Sequence, residues 1–394
     1  MSVYEFTEDD YSFLRELEGV DLHAELLRKN RNAHQKQLIS QLIIRKQFEK
    51  KLPTICKTEG IHLPPSIHLE QSSSEKTARF KASLVSGKRG VDLSAGFGVD
   101  SYFLAPRFNE FLLVEPNVAL ADLVEYNYKS IFKITNTKHY KGIDATAALH
   151  SMDNHSLDVA YIDPSRRDYS GKKVFKLQDC EPNLILLESL LIQKAKKVLV
   201  KLSPMLDLKD AEQQLRFITH TYAVCAGGEC KELLLLLEDT SYPVAVTHHA
   251  VDLDRNYTLS QTPGAIQQMA IQYSSPRSYL YEPNPCIHKL SMYQPLCETY
   301  GLKKLHPNTH LFTSDTLLKD FPGRVFVIDA IEVVNEKALS KILSPYQAHL
   351  TVRNFPDSSD LLRKKLKLAD GGDYYLFATT LIDASKCILV CRKV

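Results

Sequence analysis

Residues 90–98 read Gly-Val-Asp-Leu-Ser-Ala-Gly-Phe-Gly, an apolar run that leads directly into a loop with two glycines. Glycines one residue apart let the backbone turn tightly and approach a ligand, and the helix that follows offers free N–H groups. A dinucleotide-binding fingerprint would place a third glycine where this chain has Ser101. Asp92, at the start of the loop, suits an ammonium group or ribose hydroxyls better than a phosphate. The stretch therefore predicts a ligand site that does not bind a pyrophosphate.

Around this loop, from about residue 88 to 240, short apolar runs alternate with helical stretches. This alternation indicates parallel strands joined by crossover helices. The final two runs are joined by only a few residues around Gly227 and Gly228, which favours a hairpin and an antiparallel edge. The predicted strands are 90–93, 111–115, 139–141, 159–163, 198–202, 223–226 and 232–238.

Acidic residues stand at the ends of the first four predicted strands. Glu115 ends the second strand, Asp144 and Ala145 follow the third, and Asp163 ends the fourth. Any one of them, taken singly, is most simply a helix cap. Open α/β sheets, however, bind ligands at the carboxyl ends of their strands. Together with Asp92 the set predicts a cofactor site, with Glu115 suited to ribose hydroxyls and Asp144 to an adenine amino group.

The flanking regions have a different texture. Leu22 with Leu26 and Leu38 with Leu42 recur at helical spacing before residue 85. Beyond about 275, proline-rich turns lead into strand and helix patterns typical of a small α+β domain. We therefore expect an N-terminal helical region (1–85), a central α/β domain (86–255) and a C-terminal α+β domain (275–394).

Composition narrows the class of protein. The chain has 394 residues, of which 44% are hydrophobic and 24% charged, and this excludes collagen-like and disordered classes. No apolar run is long enough for a membrane helix, and the N-terminus does not read as a signal peptide. Its eight cysteines form no CxxC pair, so we expect structural thiols, no metal site and a cytoplasmic location.

Charge is distributed unevenly although the formal net charge is only +2. Residues 21–51 hold eight basic and three acidic side chains, a local excess of +5. Residues 165–176 and 361–367 each carry a local excess of +4. Such segregation is typical of a surface that binds a polyanion, although a solvated face is the simpler reading of any one stretch.

Residues 74–240 resemble the class I S-adenosylmethionine-dependent methyltransferases. The matching pattern is DxxxGxG, followed by acidic residues after the second, third and fourth strands and by Asp163-Pro164-Ser165-Arg166 in place of the family's D/N-P-P-Y element. The wider chain is similar to a bacterial methyltransferase group with a C-terminal THUMP-like domain. The resemblance implies a Rossmann-like seven-stranded sheet, bound S-adenosylmethionine and an RNA partner. The cofactor-binding residues it implies are Asp92, Ser94, Gly96, Gly98, Glu115, Asp144 and Ala145.

The residues near Asp163 and Lys201 restrict which acceptor atom can be methylated. Neither Tyr161–Asp168 nor Val200–Asp207 contains the cysteine nucleophile that pyrimidine-carbon methylation uses. In order along the chain, four residues resemble the tetrad of ribose 2′-hydroxyl methyltransferases: Lys81, Asp163, Lys201 and Glu232.

Other acceptors remain open at this point. If a base amino group is methylated, Asp163 and the carbonyl of Pro164 would orient it. Arg166 and Arg167 could clamp a substrate phosphate with bidentate geometry. The remaining alternatives are a methyltransferase acting on a protein or small molecule, and a non-catalytic RNA-binding module with a vestigial cofactor fold.

Overall fold

The computed structural model describes residues 4–165, 177–240, 242, 244–262 and 270–394. The chain forms two compact units. The first unit comprises Met1–Thr219 with Leu234–Pro243, and the second comprises His220–Leu233 with Val244–Val394. No helix within the described ranges is long and apolar enough to cross a membrane.

The first unit begins with six helices. Side chains cap two of them in reciprocal pairs, Thr7 with Asp10 and Asn32 with Gln35, which satisfies backbone N–H groups at each helix start. Leu17, Leu22 and Ile39 form a buried cluster between helices, as the helical spacing of the leucines predicts. The helices are α1 (Glu8–Glu16), α2 (Leu22–Leu27), α3 (Ala33–Phe48), α4 (Pro53–Lys57), α5 (Ser66–Gln71) and α6 (Glu75–Leu84).

A parallel sheet follows in the same unit. Its central strand pairs on both sides in parallel, with Val91 opposite Leu112 on one neighbour and Ala160 on the other, and all three side chains are fully buried. A strand buried on both faces needs the continuous apolar runs seen in the sequence. The parallel strands are β1 (Gly87–Asp92), β2 (Phe108–Glu115), β3 (Thr137–Lys141), β4 (Leu157–Ile162) and β5 (Ala195–Leu202). Two more strands follow along the chain and are divided between the two units, β6 (Ile218–Ala226) and β7 (Glu229–Glu238).

Helices connect these strands, and the strand order in the first unit is β3-β2-β1-β4-β5-β7. The order reverses direction at β1, so the carboxyl ends of β1 and β4 flank the point where an open α/β sheet binds its ligand. The connecting helices are α7 (Val99–Leu104), α8 (Val118–Tyr126), α9 (Ala145–His150), α10 (Leu184–Lys194) and α11 (Leu208–Gln214).

The second unit contains two sheets. In the first, the strand order is β7-β6-β8-β9, where β8 is Thr247–Asp252 and β9 is Tyr257–Gln261. The fold is thus the predicted Rossmann-like α/β type, and β8 and β9 extend the sheet beyond the seven strands that the sequence predicts. Tyr257–Gln261 was not predicted as a strand.

The other sheet of the second unit has seven strands in the order β11-β12-β10-β13-β16-β15-β14. Its side chains alternate between two cores: Leu376 and Ala378 pack on one face, while Phe377 packs on the other. The strands are β10 (Tyr279–Pro283), β11 (Lys303–Lys304), β12 (Phe312–Ser314), β13 (Gly323–Glu332), β14 (His349–Arg353), β15 (Tyr374–Thr380) and β16 (Lys386–Lys393). The helices are α12 (Pro285–Lys289), α13 (Tyr293–Tyr300), α14 (Glu336–Leu339) and α15 (Ser359–Leu366).

One expectation about the cysteines is wrong. Cys225 and Cys286 form a disulfide, whereas the sequence predicted only thiols. The two residues are separated by 61 positions and no spacing pattern links them. They become neighbours only because the end of β6 and the first turn of α12 meet in the second unit.

Candidate active site

Five side chains singled out from the sequence stand at one edge of the parallel sheet in the first unit. Asp92 and Glu115 are the last residues of β1 and β2, and Asp163 directly follows β4. Asp144 comes just after β3, and Lys201 is the next-to-last residue of β5. Because β1 to β5 are all parallel neighbours, their carboxyl ends lie along the same edge.

The loop after β1 is organised around the buried carboxylate of Asp92. The Ser101 hydroxyl donates to one oxygen at 2.5 Å, and the Ser94 backbone N–H donates to the other at 2.9 Å. Burial, and to a smaller extent the nearby carboxylates of Asp100 and Asp163, raise the pKa of Asp92 to about 7 against the lowering effect of these hydrogen bonds. A cation bound beside Asp92 would stabilise its ionised form.

The two loop glycines are glycine for different reasons. Both have backbone conformations in the left-handed region, with φ of +53° at Gly96 and +78° at Gly98. A Cβ at Gly98 would lie 2.9 Å from the Tyr128 hydroxyl, which itself donates to the Gly98 carbonyl at 2.6 Å. A Cβ at Gly96 would meet nothing closer than the Ser94 carbonyl at 3.9 Å. Glycine at position 98 is therefore required for packing against Tyr128, while glycine at position 96 leaves the space beside its Cα free of protein atoms.

The second and third acidic residues hold backbone groups at the same edge. Glu115 accepts from the Gly96 N–H at 2.9 Å and from the Asn117 N–H at 2.8 Å, so it ties the loop to the end of β2. Asp144 is exposed and caps α9 by accepting from the Ala147 N–H at 2.7 Å. Ala145 is the first residue of α9 and is buried. The proposed contacts of these residues with ribose and adenine remain predictions.

Asp163 and Lys201 form an ion pair across the ends of β4 and β5. The pair is partly buried, with 14% of the Lys201 side chain and 32% of the Asp163 side chain exposed. Ser94 connects it to the loop, because its hydroxyl accepts from the Asp163 N–H at 2.7 Å and donates to Asp92 at 3.3 Å. The structure thus brings a solvent-accessible carboxylate and ammonium directly beside the predicted cofactor loop.

The Lys81 side chain is more deeply buried than that of a residue that has to contact substrate. Its side chain on α6 has no exposed surface, and its ammonium lies 3.0 Å from Asp100 and 2.8 Å from the Ser73 hydroxyl. Asp100 also accepts from the hydroxyls of Ser73 and Tyr161, each at 2.8 Å. Burial opposes ionisation of Asp100, but Lys81, Lys201 and these hydroxyls hold its pKa below the usual value.

Asp100 belongs to this cluster of charged residues, and the sequence analysis missed it. It lies in the first turn of α7, where an acidic residue is common, so its position alone carries no signal. Its proximity to both lysines makes it the link between the predicted catalytic residues Lys81 and Lys201. Predicting the role of Asp100 would have needed a sequence pattern that links residues 73, 81, 100 and 161.

The other predicted site residues are placed as follows. Pro164 is buried directly after Asp163. Glu232 is buried on β7 and belongs to the second unit, so its place in the tetrad stays a prediction. Arg166 and Arg167 lie outside the described residues.

Comparison with known proteins identifies the fold around this site. The "putative methyltransferase from Porphyromonas gingivalis W83" is 30% identical in sequence, with a TM-score of 0.84. The alignment covers 99% of this chain and 100% of that one. Family models match residues 279–322 as a ferredoxin-like domain and residues 323–393 as THUMP domain-like. The chain belongs to this bacterial class I methyltransferase family with a THUMP-like C-terminus.

Two further solved structures align with less than half of this chain. An rRNA methylase from Streptococcus thermophilus is 14% identical over 42% of this chain and 95% of its own, with a TM-score of 0.30. The tRNA (m1A58) methyltransferase TrmI from Aquifex aeolicus is 14% identical over 44% of this chain and 71% of its own, with a TM-score of 0.31. No curated protein matches the chain.

The side chains of this methyltransferase fold suit a cationic cofactor. The interacting group contains three carboxylates, Asp92, Asp100 and Asp163, and two ammonium groups, Lys81 and Lys201. Carboxylates outnumber ammonium groups in this cluster, which favours a cationic ligand. S-adenosylmethionine carries a sulfonium, an ammonium and a carboxylate group, which leave it net positive, as well as a ribose diol. The charge balance and the clear side of Gly96 therefore fit this cofactor.

Proposed function

We propose that this protein is an S-adenosylmethionine-dependent methyltransferase that acts on RNA. The observation that carries the proposal is the ion pair of Asp163 and Lys201, held by Ser94 beside the loop of Asp92 and Gly96. A vestigial cofactor fold would have no need of this partly buried charge pair at the sheet edge. The three-part division into 1–85, 86–255 and 275–394 remains our proposal for its domains.

Cofactor binding is assigned to the loop and the strand ends. Asp92 and Glu115 order the loop, and Asp92 becomes fully ionised when a cation is bound near it. Bound S-adenosylmethionine supplies a methyl group on a sulfonium, which makes that methyl electrophilic. The protein's main contribution is to hold acceptor and methyl in line, an effect worth up to about 7–11 kcal/mol in favourable cases.

The acceptor is most simply a ribose 2′-hydroxyl. A hydroxyl is a weak nucleophile and must lose its proton as the new bond forms. The Lys201 ammonium can donate a hydrogen bond to the acceptor oxygen and orient it, while the Asp163 carboxylate can accept the proton. Lys81 acts one step away, because its charge helps to keep Asp100 ionised near Lys201. A base amino group is the second candidate, since Asp163 and Pro164 could orient it.

RNA as the substrate is supported by the THUMP domain-like match and by some, not all, of the basic segments. In residues 361–367 three of the basic side chains pair with acids: Arg363 with Asp370, Lys365 with Asp357 and Lys367 with Glu336. In the N-terminal segment Lys46 and Lys50, at the end of α3, are exposed. We therefore assign the phosphate-binding surface chiefly to that helix end.

Two measurements test the proposal. Calorimetry with S-adenosylmethionine should show one site per chain, and absence of binding would remove the cofactor assignment. Mass spectrometry of nucleosides in RNA from cells with and without the gene should show one methylated nucleoside that disappears with the gene. A lost 2′-O-methyl nucleoside supports the ribose acceptor, a lost N-methyl base supports the amino acceptor, and unchanged RNA contradicts RNA as the substrate.

A further inference from the structure

Three cysteines meet in the second unit. Cys225, the next-to-last residue of β6, is joined to Cys286 on α12, and Cys230 is the second residue of β7. All three sulfur atoms lie within 4.8 Å of one another. Cys225 and Cys286 are almost completely buried and Cys230 is partly buried.

The fold holds this cluster from several sides. Gly227 and Gly228, with φ of +63° and +74°, form the tight turn that folds Cys230 back beside Cys225. The Cys225 carbonyl accepts a hydrogen bond from the N–H of Leu253, the residue just after β8, at 3.0 Å. Asn284, which caps α12, donates to Asp252 on β8 at 3.2 Å. The three sulfurs therefore belong to connected, hydrogen-bonded elements rather than to a loose loop.

A structural disulfide explains two of these sulfurs but not the third. A zinc–thiolate bond of about 2.3 Å places the sulfurs of a tetrahedral site about 3.8 Å apart. All three sulfurs already lie within 4.8 Å of one another, so only the Cys225–Cys286 pair has to separate once its disulfide is reduced. Thiolates favour Zn²⁺ and other soft ions over the hard ions Mg²⁺ and Ca²⁺. We propose that Cys225, Cys230 and Cys286 in their thiol form bind one zinc-like divalent cation.

The cluster supplies three protein ligands. Within the ranges that the structure describes, no further His, Cys, Asp or Glu joins the group. Three ligands are the number found in zinc sites that keep one position for water or substrate. Cys225 also lines a cavity of about 380 Å³ together with Arg255 and His288. A water or substrate molecule in this cavity can be the fourth ligand.

The disulfide and the metal site are alternative states of the same sulfurs. A dithiol reductant breaks the Cys225–Cys286 bond by exchange. It is itself oxidised to a cyclic disulfide, and its two protons pass to the cysteine sulfurs. Binding of the cation then displaces the three thiol protons into solvent. The redox state of Cys225 and Cys286 therefore decides whether the cation is bound.

The test uses the full chain, reduced with dithiothreitol and freed of it by anaerobic gel filtration. Addition of Zn²⁺ followed by desalting should leave one zinc ion per chain by mass spectrometry of the metal. Co²⁺ in its place should give the strong thiolate-to-cobalt absorption of a sulfur-rich tetrahedral site. Reoxidation to the disulfide should release the ion. Zinc-free reduced protein, or cobalt spectra without thiolate absorption, would overturn the proposal.

Cys230→Ser is the decisive variant, because it removes the third sulfur and leaves the Cys225–Cys286 disulfide possible. Its zinc affinity should fall by at least about 100-fold, the upper range for losing even an outer-shell partner. Cys297→Ala, a buried thiol of the same unit outside the cluster, should retain one ion. Equal metal content in Cys230→Ser and wild type would show that zinc binds elsewhere. If Cys230→Ser does not fold, the wild-type cobalt spectrum still decides the question.

Discussion

The Lys81 ammonium and the Asp100 carboxylate form a buried ion pair with a 3.0 Å separation between α6 and α7. Ser73 and Tyr161 both donate to Asp100 Oδ2, and the Lys81 ammonium lies beside Oδ1, so the buried carboxylate has its charge compensated. Buried pairs of this kind stabilise little relative to apolar residues, yet losing one partner is costly. The pair therefore fixes the helix that follows the cofactor loop in relation to the helix that precedes it.

Lys81→Met should destabilise the protein by about 3–5 kcal/mol, because Asp100 would remain buried without its cation. Urea unfolding followed by circular dichroism measures this loss. The double variant Lys81→Met with Asp100→Asn should recover part of it, since no charge then remains unpaired. Lys88→Met, at the exposed start of β1, is the control and should change stability little. A loss as small as that of the control would contradict the pairing.

Substitutions of Gly96 and Gly98 should change cofactor affinity and stability to different degrees. Gly96→Ala should lose about 1–2 kcal/mol of stability from its left-handed backbone. It should also weaken S-adenosylmethionine binding by about tenfold or more, because the new methyl group enters the side kept clear. Gly98→Ala should lose more stability, since its Cβ also collides with Tyr128. Thermal melts and calorimetry on both variants measure these effects. Wild-type affinity in folded Gly96→Ala would argue against cofactor binding at this loop.

The parallel sheet could be predicted because its signals are local. Each predicted strand from 90–93 to 232–238 overlaps an observed one. For the strands that are buried on both faces, the local signal is a continuous apolar run. The residues at its carboxyl edge could be predicted for the same reason. The parallel topology then brings together the residues that stand at the ends of successive strands.

The second unit was predicted less completely because tertiary pairing determines it. The sequence predicts proline-rich turns over residues 281–286, yet 281–283 belong to β10, which lies between β12 and β13. Its proline stands at the strand end, where the missing N–H is tolerated. Asp100 and the cysteine cluster were missed because their partners lie far away in the sequence.

S-adenosylmethionine binding should release a proton near neutral pH. Asp92 has a raised pKa of about 7 in the free protein, and a bound cation lowers it, so affinity should rise as pH increases from 5.5 toward 7. Calorimetry at pH 6.5 in two buffers of different ionisation enthalpy measures the released proton. Asp92→Asn should remove the release. A pH-independent affinity in wild type would contradict the position of the cation beside Asp92.

RNA binding should depend on Lys46 and Lys50. Each contact with a phosphate of single-stranded RNA contributes about −0.7 to the slope of log affinity against log salt. The double variant Lys46→Ala with Lys50→Ala should therefore flatten the slope by about 1.4. Fluorescence anisotropy with a labelled single-stranded RNA measures it. Lys88→Ala, at the opposite edge of the sheet from the predicted site, should leave the slope unchanged. An unaltered slope in the double variant would place the RNA on another surface.

Lys201→Met separates the ribose acceptor from the amino acceptor. If a 2′-hydroxyl is methylated, loss of the ammonium should lower turnover by about 100- to 10,000-fold, the usual contribution of acid–base assistance. Cofactor affinity should stay within a few-fold, because Asp92 and Glu115 still hold the loop. If an amino group is methylated, Asp163 and Pro164 do the orienting, and the main effect should be lower stability. Single-turnover methyl transfer to the identified RNA measures the chemical step separately from binding.

The matched control for this variant is Lys197→Met. Lys197 lies on the same strand four residues earlier and pairs with Glu238, but its side chain is about half exposed, as in an ordinary surface ion pair. Turnover of Lys197→Met should therefore match wild type. A folded Lys201→Met protein with full turnover would exclude the tetrad chemistry, because then neither proton transfer nor orientation of the acceptor oxygen depends on that ammonium. Equal loss in both variants would point instead to a general weakening of β5.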